Sequence, residues 1–309
     1  MPKVVIIAGP TASGKSALAI EVARALNSAV LNSDSMQIYK NIPVISAAPS
    51  AGERAKVEHR LYEIFDCSKR GNVVEWLDLC VAEIKKLWDE NKVPVVVGGT
   101  GMYIDALING VTPIPEVSAT IREKVHTWLN KDGLSVLYGF LQQHDAEIAA
   151  KLSPNDKTRI VRAVEIMTAT NQKVSEWYKV PMIKKLPEAE FIVIKIVPDI
   201  DVIEERCKQR LDKMVYEWDA LKEIEYLAQR QIAETLPAMK ALGVPELMRY
   251  VKGETSLEDA LTEAKLHTRQ YAKRQRTWLR NKLPADIVFE EVYSGQDEFL
   301  KQILIRANA

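Results

Sequence analysis

Residues 9–16 read Gly-Pro-Thr-Ala-Ser-Gly-Lys-Ser, a complete G-x-x-x-x-G-K-[ST] loop. It directly follows the apolar run Val4–Ala8 and directly precedes a segment with Leu18, Val22 and Leu26 at helical spacing. Strand, glycine loop and helix in that order commit the N-terminal third to an α/β fold in which the loop closes over the end of a sheet. Gly9 and Gly14 let the backbone around Pro10, Thr11, Ala12 and Ser13 curl so that amide N–H groups converge on one anion-sized hollow. Lys15 adds a point charge, and Ser16 offers a hydroxyl to a magnesium ion. We expect two linked phosphates to be held here. The loop alone does not name the molecule that carries them.

Short β-branched runs followed by helical patterns recur at 4–8, 28–32, 93–98, 191–197 and 286–290, which implies a parallel sheet covered on both faces. Between Pro113 and Pro187 the strand signal vanishes and the pattern is helical. The expected organisation is a P-loop NTPase-like α/β core formed by 1–112 and 188–309, with 113–187 as a helical insertion. With 309 residues and 47% apolar content, a packed core is available and neither disorder nor a disulfide scaffold is in contention. Cys67, Cys80 and Cys207 are odd in number and far apart, read as small buried hydrophobes, and point to a reducing cytoplasm. The N-terminal apolar run is too short for a signal peptide and no 18-residue apolar span exists, so no membrane is expected.

The second strand leads into Ser33-Asp34-Ser35-Met36-Gln37-Ile38-Tyr39, polar groups delivered where an open α/β sheet puts its ligands. Asp34 is the carboxylate of this loop; as residue type and position go, a helix cap or Asx turn accounts for it as well as chemistry does. The third strand ends in Gly98-Gly99-Thr100-Gly101. Either a ligand approaches that backbone, with Thr100 hydrogen-bonding to it, or the glycines make a plain tight turn.

Formal charge is zero, 42 basic against 42 acidic residues, but two stretches break the average. Arg206, Arg210 and Lys213 fall at i, i+4 and i+7, so they share a helix face and reach the phosphate end, or else pair with Glu204 and Glu205. From Lys265 to Lys282 there are seven Lys or Arg and no acid, with Arg269, Lys273, Arg276 and Arg280 on one face and Arg274 on another. An acid-free stripe of this length is either a polyanion surface, nucleic acid first, or a solvated face. Lys157, Arg159 and Arg162 add positive charge to the insertion.

A P-loop kinase normally carries an apolar strand ending in Asp for a second magnesium contact, and the 93–98 strand ends in Gly-Gly-Thr. His59, His126, His144 and His267 have no ligand spacing and no nearby nucleophile, so neither a metal site nor a Ser-His-Asp triad is indicated.

The set G-P-T-A-S-G-K-S at 9–16, S-D-S-M-Q-I-Y at 33–39, V-G-G-T-G-M-Y at 97–103, N-D-K-T-R-I-V-R-A at 155–163 and T-R-Q-Y-A-K-R-Q at 268–275 resembles tRNA dimethylallyltransferase, or tRNA isopentenyltransferase. The likeness runs from the N-terminus to about residue 282 in the family's order. It departs at Ile45-Ser46-Ala47-Ala48-Pro49, where many members carry Gly-Thr-Ala-Lys-Pro, and at Val244, where an aromatic is common. The scattered cysteines exclude the zinc finger of eukaryotic members, so the likeness is to the bacterial form.

The resemblance implies transfer of a dimethylallyl group from dimethylallyl diphosphate to N6 of the adenine immediately 3′ of the anticodon, with Mg2+ as cofactor. It implies that Asp34 is the general base, that Thr100 orients it or the adenine, and that Lys15 acts on the leaving group. Diphosphate binding would fall to residues 9–16 with Arg206 and Arg210, and the metal to Ser16. Contacts with tRNA would come from Asp34, Ser35, Met36, Gln37, Thr100, Arg122, Thr158, Arg159, Ile160, Val161, Arg162, Arg269, Lys273 and Arg276. A cytoplasmic monomer is expected. The rival readings are a P-loop nucleotide or small-metabolite kinase, which lacks its second acid here, and an ATP-dependent RNA-binding module, which predicts nucleotide turnover.

Overall fold

The computed structural model describes residues 1–308. Six strands form one sheet in the order β3-β2-β4-β1-β5-β6, and every pairing is parallel. They are β1 (Lys3–Ala8), β2 (Val30–Asn32), β3 (His59–Arg60), β4 (Val95–Gly98), β5 (Glu190–Ile196) and β6 (Ile287–Phe289). The runs expected at 28–32 and 93–98 begin two residues later than their apolar pattern. The two-residue edge strand β3 was not anticipated, because His59 and Arg60 carry no β signature. β1 lies centrally with β4 on one side and β5 on the other, so the loops leaving β1, β2 and β4 open at the same carboxyl edge.

The chain divides into two compact units, Met1–Ile108 with Lys185–Ala309, and Asn109–Lys184. In the first, the helices before the insertion are α1 (Lys15–Ala25), α2 (Ala51–Arg54), α3 (Val73–Asp89) and α4 (Gly101–Asn109). The second contains α5 (Ala119–Asp132), α6 (Leu134–His144), α7 (Ala146–Ala149), α8 (Lys157–Thr170) and α9 (Val174–Trp177). After the chain returns come α10 (Ile200–Tyr216), α11 (Ala220–Gln229), α12 (Val244–Val251), α13 (Leu257–Lys282) and α14 (Asp297–Asn308).

On one face of the sheet Val5, Ile7, Val95, Val97, Ile192 and Ile194 pack with Leu18 and Val22 of α1 and Phe299 and Ile303 of α14. Each such side chain removed from water contributes about 1.5–3 kcal/mol. Strand alternation sends Lys195 to the opposite face, where its Nζ donates to the carbonyls of Leu279 (3.2 Å) and Leu283 (2.9 Å). A cation at the end of α13 satisfies two orphan carbonyls and complements the helix dipole. The start of α13 is capped by Ser256, whose hydroxyl accepts from the Asp259 N–H at 3.1 Å.

The second unit has its own core, centred on Val125, Leu137, Leu141, Ile160, Val161 and Val164. Its entry and exit meet at an antiparallel bridge between Val111 and Ile183. Among the described residues, no helix is long and apolar enough to cross a membrane.

Candidate functional site

The loop after β1 is built as a cradle. Gly14 caps α1 in the left-handed region (φ 85°), and no side chain caps the helix, so its first-turn N–H groups stay available to an anion. Gly14 admits no side chain on a second ground, because a Cβ there would lie 2.2 Å from the carbonyl oxygen of Tyr293. The segment 290–296 is held to the loop by the Tyr293 N–H, which donates to Ser13 O at 3.0 Å. Ala12 also takes a positive φ, 61°, which is strain concentrated at the tip of the loop.

Three cations surround this cradle. Lys15 is 8% exposed and its Nζ donates to Pro10 O at 3.2 Å. From α10, Arg206 Nε donates to Ala12 O at 2.9 Å, and Arg210 donates to the Thr11 hydroxyl. Lys213, the third member of that face, stays exposed. Among the described residues Ser13 Oγ is buried without a partner, and Ser16 sits half-buried at the first turn of α1.

Asp34 stands on the neighbouring loop, and its placement combines both readings of the sequence. Its Oδ1 accepts the Met36 N–H at 2.9 Å, an Asx turn, while among the described residues Oδ2 has no hydrogen-bond partner. The loop is held by Asn32, fully buried, whose Oδ1 accepts the Asp34 N–H at 2.8 Å and whose Nδ2 donates to Asp34 O and Leu61 O. Trp76 of α3, also fully buried, donates Nε1–H to Asn32 O at 2.8 Å. Thr100 joins the two loops, because its hydroxyl oxygen accepts the Ser35 N–H at 3.0 Å and lies 3.3 Å from Ser35 Oγ. The Gln37 side chain is buried, its Nε2 donating to Ser46 O and Ala47 O, which ties this loop to the segment at 43–48.

Electrostatics show that these elements share one field. Burial pushes Lys15 down to about 8, with the charge of Asp34 opposing that shift and Arg210 adding to it. Burial also lowers Arg210, again opposed in part by Asp34. Tyr271 of α13 is pushed up to about 12 by burial and by the Asp34 charge, against a hydrogen bond to Thr100. Carboxylate, cations and hydroxyls at the open edge of the sheet can hold an anionic leaving group on one wall and take a proton on the other.

The face of α13 differs from the expected stripe. Arg269 pairs with Glu204 of α10, and Arg276 donates Nε–H to Pro198 O at 2.8 Å and pairs with Asp199 at 3.2 Å. Arg269 stays exposed while it pairs, whereas Arg276 is mostly buried, so the expected stripe meets acids of α10 and its cap at two of its four positions. An open groove of about 550 Å³ runs instead along the adjacent face, past Lys273, Arg274, Thr277, Trp278 and Lys282. The Trp278 ring sits against Gly101, where an added Cβ would come within 2.5 Å of it. Arg274 therefore belongs with Lys273, its guanidinium 5.7 Å from the centre of the Tyr271 ring.

In the second unit, Thr158, Arg159 and Arg162 lie on the exposed side of α8, and Arg122 is half-buried on α5. Ile160 and Val161 correct the expected tRNA set: their side chains are 0% and 7% exposed in that unit's core and face away from solvent. Val244 is likewise fully buried. All three cysteines are free and buried.

Sequence reasoning missed Asn32 and Gln275. Gln275 Oε1 accepts the Thr11 N–H at 3.0 Å and its Nε2 donates to Gly99 O at 2.8 Å. Nothing in the sequence sets Gln275 apart from Gln270 and Asn281 of the same basic helix, and its partners lie 264 and 176 positions away.

The family model described as IPP transferase matches residues 37–282. A tRNA dimethylallyltransferase from Rhodopseudomonas palustris is 40% identical over 283 residues, spanning 92% of this chain and 88% of the relative. One from Bradyrhizobium is 42% identical over 286 residues, spanning 91% and 92%. A solved structure of a eukaryotic dimethylallyltransferase acting on tRNA superposes with a TM-score of 0.81 at 30% identity, covering 99% of this chain and 78% of that one.

Proposed function

The chain belongs to the IPP transferase family, whose matched relatives are tRNA dimethylallyltransferases, and from that premise we propose how its own residues carry the reaction. The reading is transfer of the dimethylallyl group of dimethylallyl diphosphate to N6 of the adenine 3′ of the anticodon, with release of diphosphate. The observation that carries it is an uncapped phosphate cradle ringed by Lys15, Arg206 and Arg210, next to a loop whose carboxylate keeps one oxygen without a partner among the described residues. A kinase could use Asp34 as a base as well; against that reading stands β4, which runs into Gly98-Gly99-Thr100 where a P-loop kinase carries an Asp for a second magnesium contact.

Negative charge grows on the diphosphate as the allylic C–O bond breaks, and the first-turn amides of α1 with Lys15, Arg206 and Arg210 stabilise it. An adenine amine is a weak nucleophile because its lone pair is delocalised into the ring. Asp34 Oδ2 accepts the amine proton as the new C–N bond forms, while Oδ1 keeps the carboxylate oriented through Met36 N–H. The Thr100 hydroxyl, tied to the Asp34 loop through Ser35, orients the base or the adenine.

The donor chemistry beside the cradle fits Mg2+: Ser16 presents a hydroxyl oxygen, the ligand class this ion takes together with phosphate oxygens and water. When bound, Mg2+ would neutralise charge on the diphosphate.

The Lys15 ammonium is present below about pH 8 and lost above it. Thus kcat/KM for dimethylallyl diphosphate, which reports the free enzyme, is expected to fall as pH rises through about 8. Lys15→Arg, whose guanidinium stays charged, is expected to remove that limb. The same limb in the Arg variant would trace it to another group.

For tRNA, the α13 groove with Lys273 and Arg274 is the leading surface, and Arg122, Thr158, Arg159 and Arg162 of the second unit supply further contacts. Lys273→Ala and Arg274→Ala are each expected to flatten the log–log salt dependence of tRNA binding by roughly 0.7–0.9. Lys85→Ala, an exposed lysine of α3, is the control. Equal slopes in all three variants would place the RNA phosphates elsewhere. One chain carries cradle, base and groove, which supports a monomer, and substrates of this kind support a cytoplasmic setting. The reaction is tested by following diphosphate release from dimethylallyl diphosphate: release that requires tRNA supports the reading, and release that ignores tRNA opposes it.

A further inference from the structure

We propose that Gln275 is a positioning residue for prenyl transfer, a strut that fixes the spacing between the wall that holds the diphosphate and the wall that carries Thr100 and Asp34. The inference rests on the transfer reading above and assigns a role to a side chain that this reading leaves unused.

Gln275 is 7% exposed, and each end of its amide binds the backbone of a different catalytic loop. The oxygen accepts Thr11 N–H from the cradle at 3.0 Å, and the nitrogen donates to Gly99 O, one residue before Thr100, at 2.8 Å. The approach is tight, since a Cβ on Gly99 would fall 2.3 Å from Gln275 Nε2. The strut stands on a fixed base. Lys195 ties the end of α13 to the sheet through Leu279 O and Leu283 O, and Arg276, the residue after Gln275, is tied to Pro198 O. Thr11 is gripped on both sides, its amide by Gln275 and its hydroxyl by Arg210. One amide of the loop therefore serves its geometry and not the anion.

An amide carries its acceptor and its donor on two separate terminal atoms, so one side chain can bind two backbones at once. Glutamate offers acceptors alone, and methionine fills the same volume with neither. In the transfer step the allylic carbon is attached to the diphosphate on one wall while the attacking amine is held by the other. Reaction needs the two atoms at about 3–3.5 Å, and a misplacement near 1 Å costs up to about 10²-fold. A strut between the walls thus acts on turnover more than on either binding step.

The experiment compares wild type, Gln275→Met and Gln275→Glu. It measures kcat, KM for both substrates, binding of inorganic diphosphate and the thermal midpoint. Both variants are expected to lose about tenfold in kcat, with diphosphate binding held within about threefold. Gln275→Glu keeps the acceptor for Thr11 and decides the matter if the Met variant does not fold. Wild-type kcat in a folded Met variant, or in the Glu variant, overturns the strut. So does a loss carried wholly by diphosphate binding. An inactive wild type would instead remove the transfer reading itself, and this inference with it.

Discussion

Asp34→Asn is expected to lower kcat by about 10²–10⁴-fold while tRNA and diphosphate binding are nearly kept, the usual range for removing a general base. The substitution is informative because the structure separates the two jobs of this side chain. Oδ1 accepts Met36 N–H, and an asparagine oxygen accepts it equally well. Asn32 holds the backbone of residue 34 regardless of its side chain. The loop is therefore expected to keep its shape, and only the proton acceptor is lost. If Asp34 merely made the turn, turnover would stay at the wild-type level, and a rate within a factor of two would remove it from the mechanism.

Lys15→Met is expected to lower kcat/KM for dimethylallyl diphosphate by about 10²-fold, comparable to deleting one preorganised donor at a developing negative charge. The ammonium is buried at 8% exposure, and among the described residues no carboxylate pairs with it; its one hydrogen bond goes to Pro10 O. Burial that disfavours its charged form costs stability, so an apolar side chain of similar length is expected to leave the thermal midpoint of the ligand-free protein unchanged or higher. Loss of activity with equal or greater stability identifies a residue placed for a ligand. A lower midpoint with unchanged kcat/KM would identify a structural lysine.

Much of this arrangement is legible in the sequence. The P-loop, the parallel sheet and the loops after β2 and β4 are local patterns, each written in consecutive residues. What stayed hidden depends on what a face meets. Spacing put Arg269 and Arg276 on one side of α13, but only packing against α10 shows that Glu204 and Asp199 are waiting there. The same limit applies to Ile160 and Val161, carried into an RNA-binding set by a motif that the fold turns toward a core. Asn32, Lys195 and Gln275 act on backbone groups, the last two far along the chain, where no side-chain pattern in the sequence marks the partner. Strand β3 escaped because a two-residue edge strand needs hydrogen bonds to β2 and no apolar alternation.

The central claim is that the cradle holds an allylic diphosphate whose carbon chain is delivered to an adenine amine of tRNA. It is tested most directly by incubating the protein with tRNA, Mg2+ and dimethylallyl diphosphate labelled in its carbon skeleton, beside a parallel reaction with labelled ATP, and then digesting the RNA to nucleosides. The account predicts label on N6 of the adenosine immediately 3′ of the anticodon, one diphosphate released per group transferred, and no phosphate transferred from ATP to any acceptor. Unlabelled tRNA together with phosphoryl transfer from ATP would contradict it.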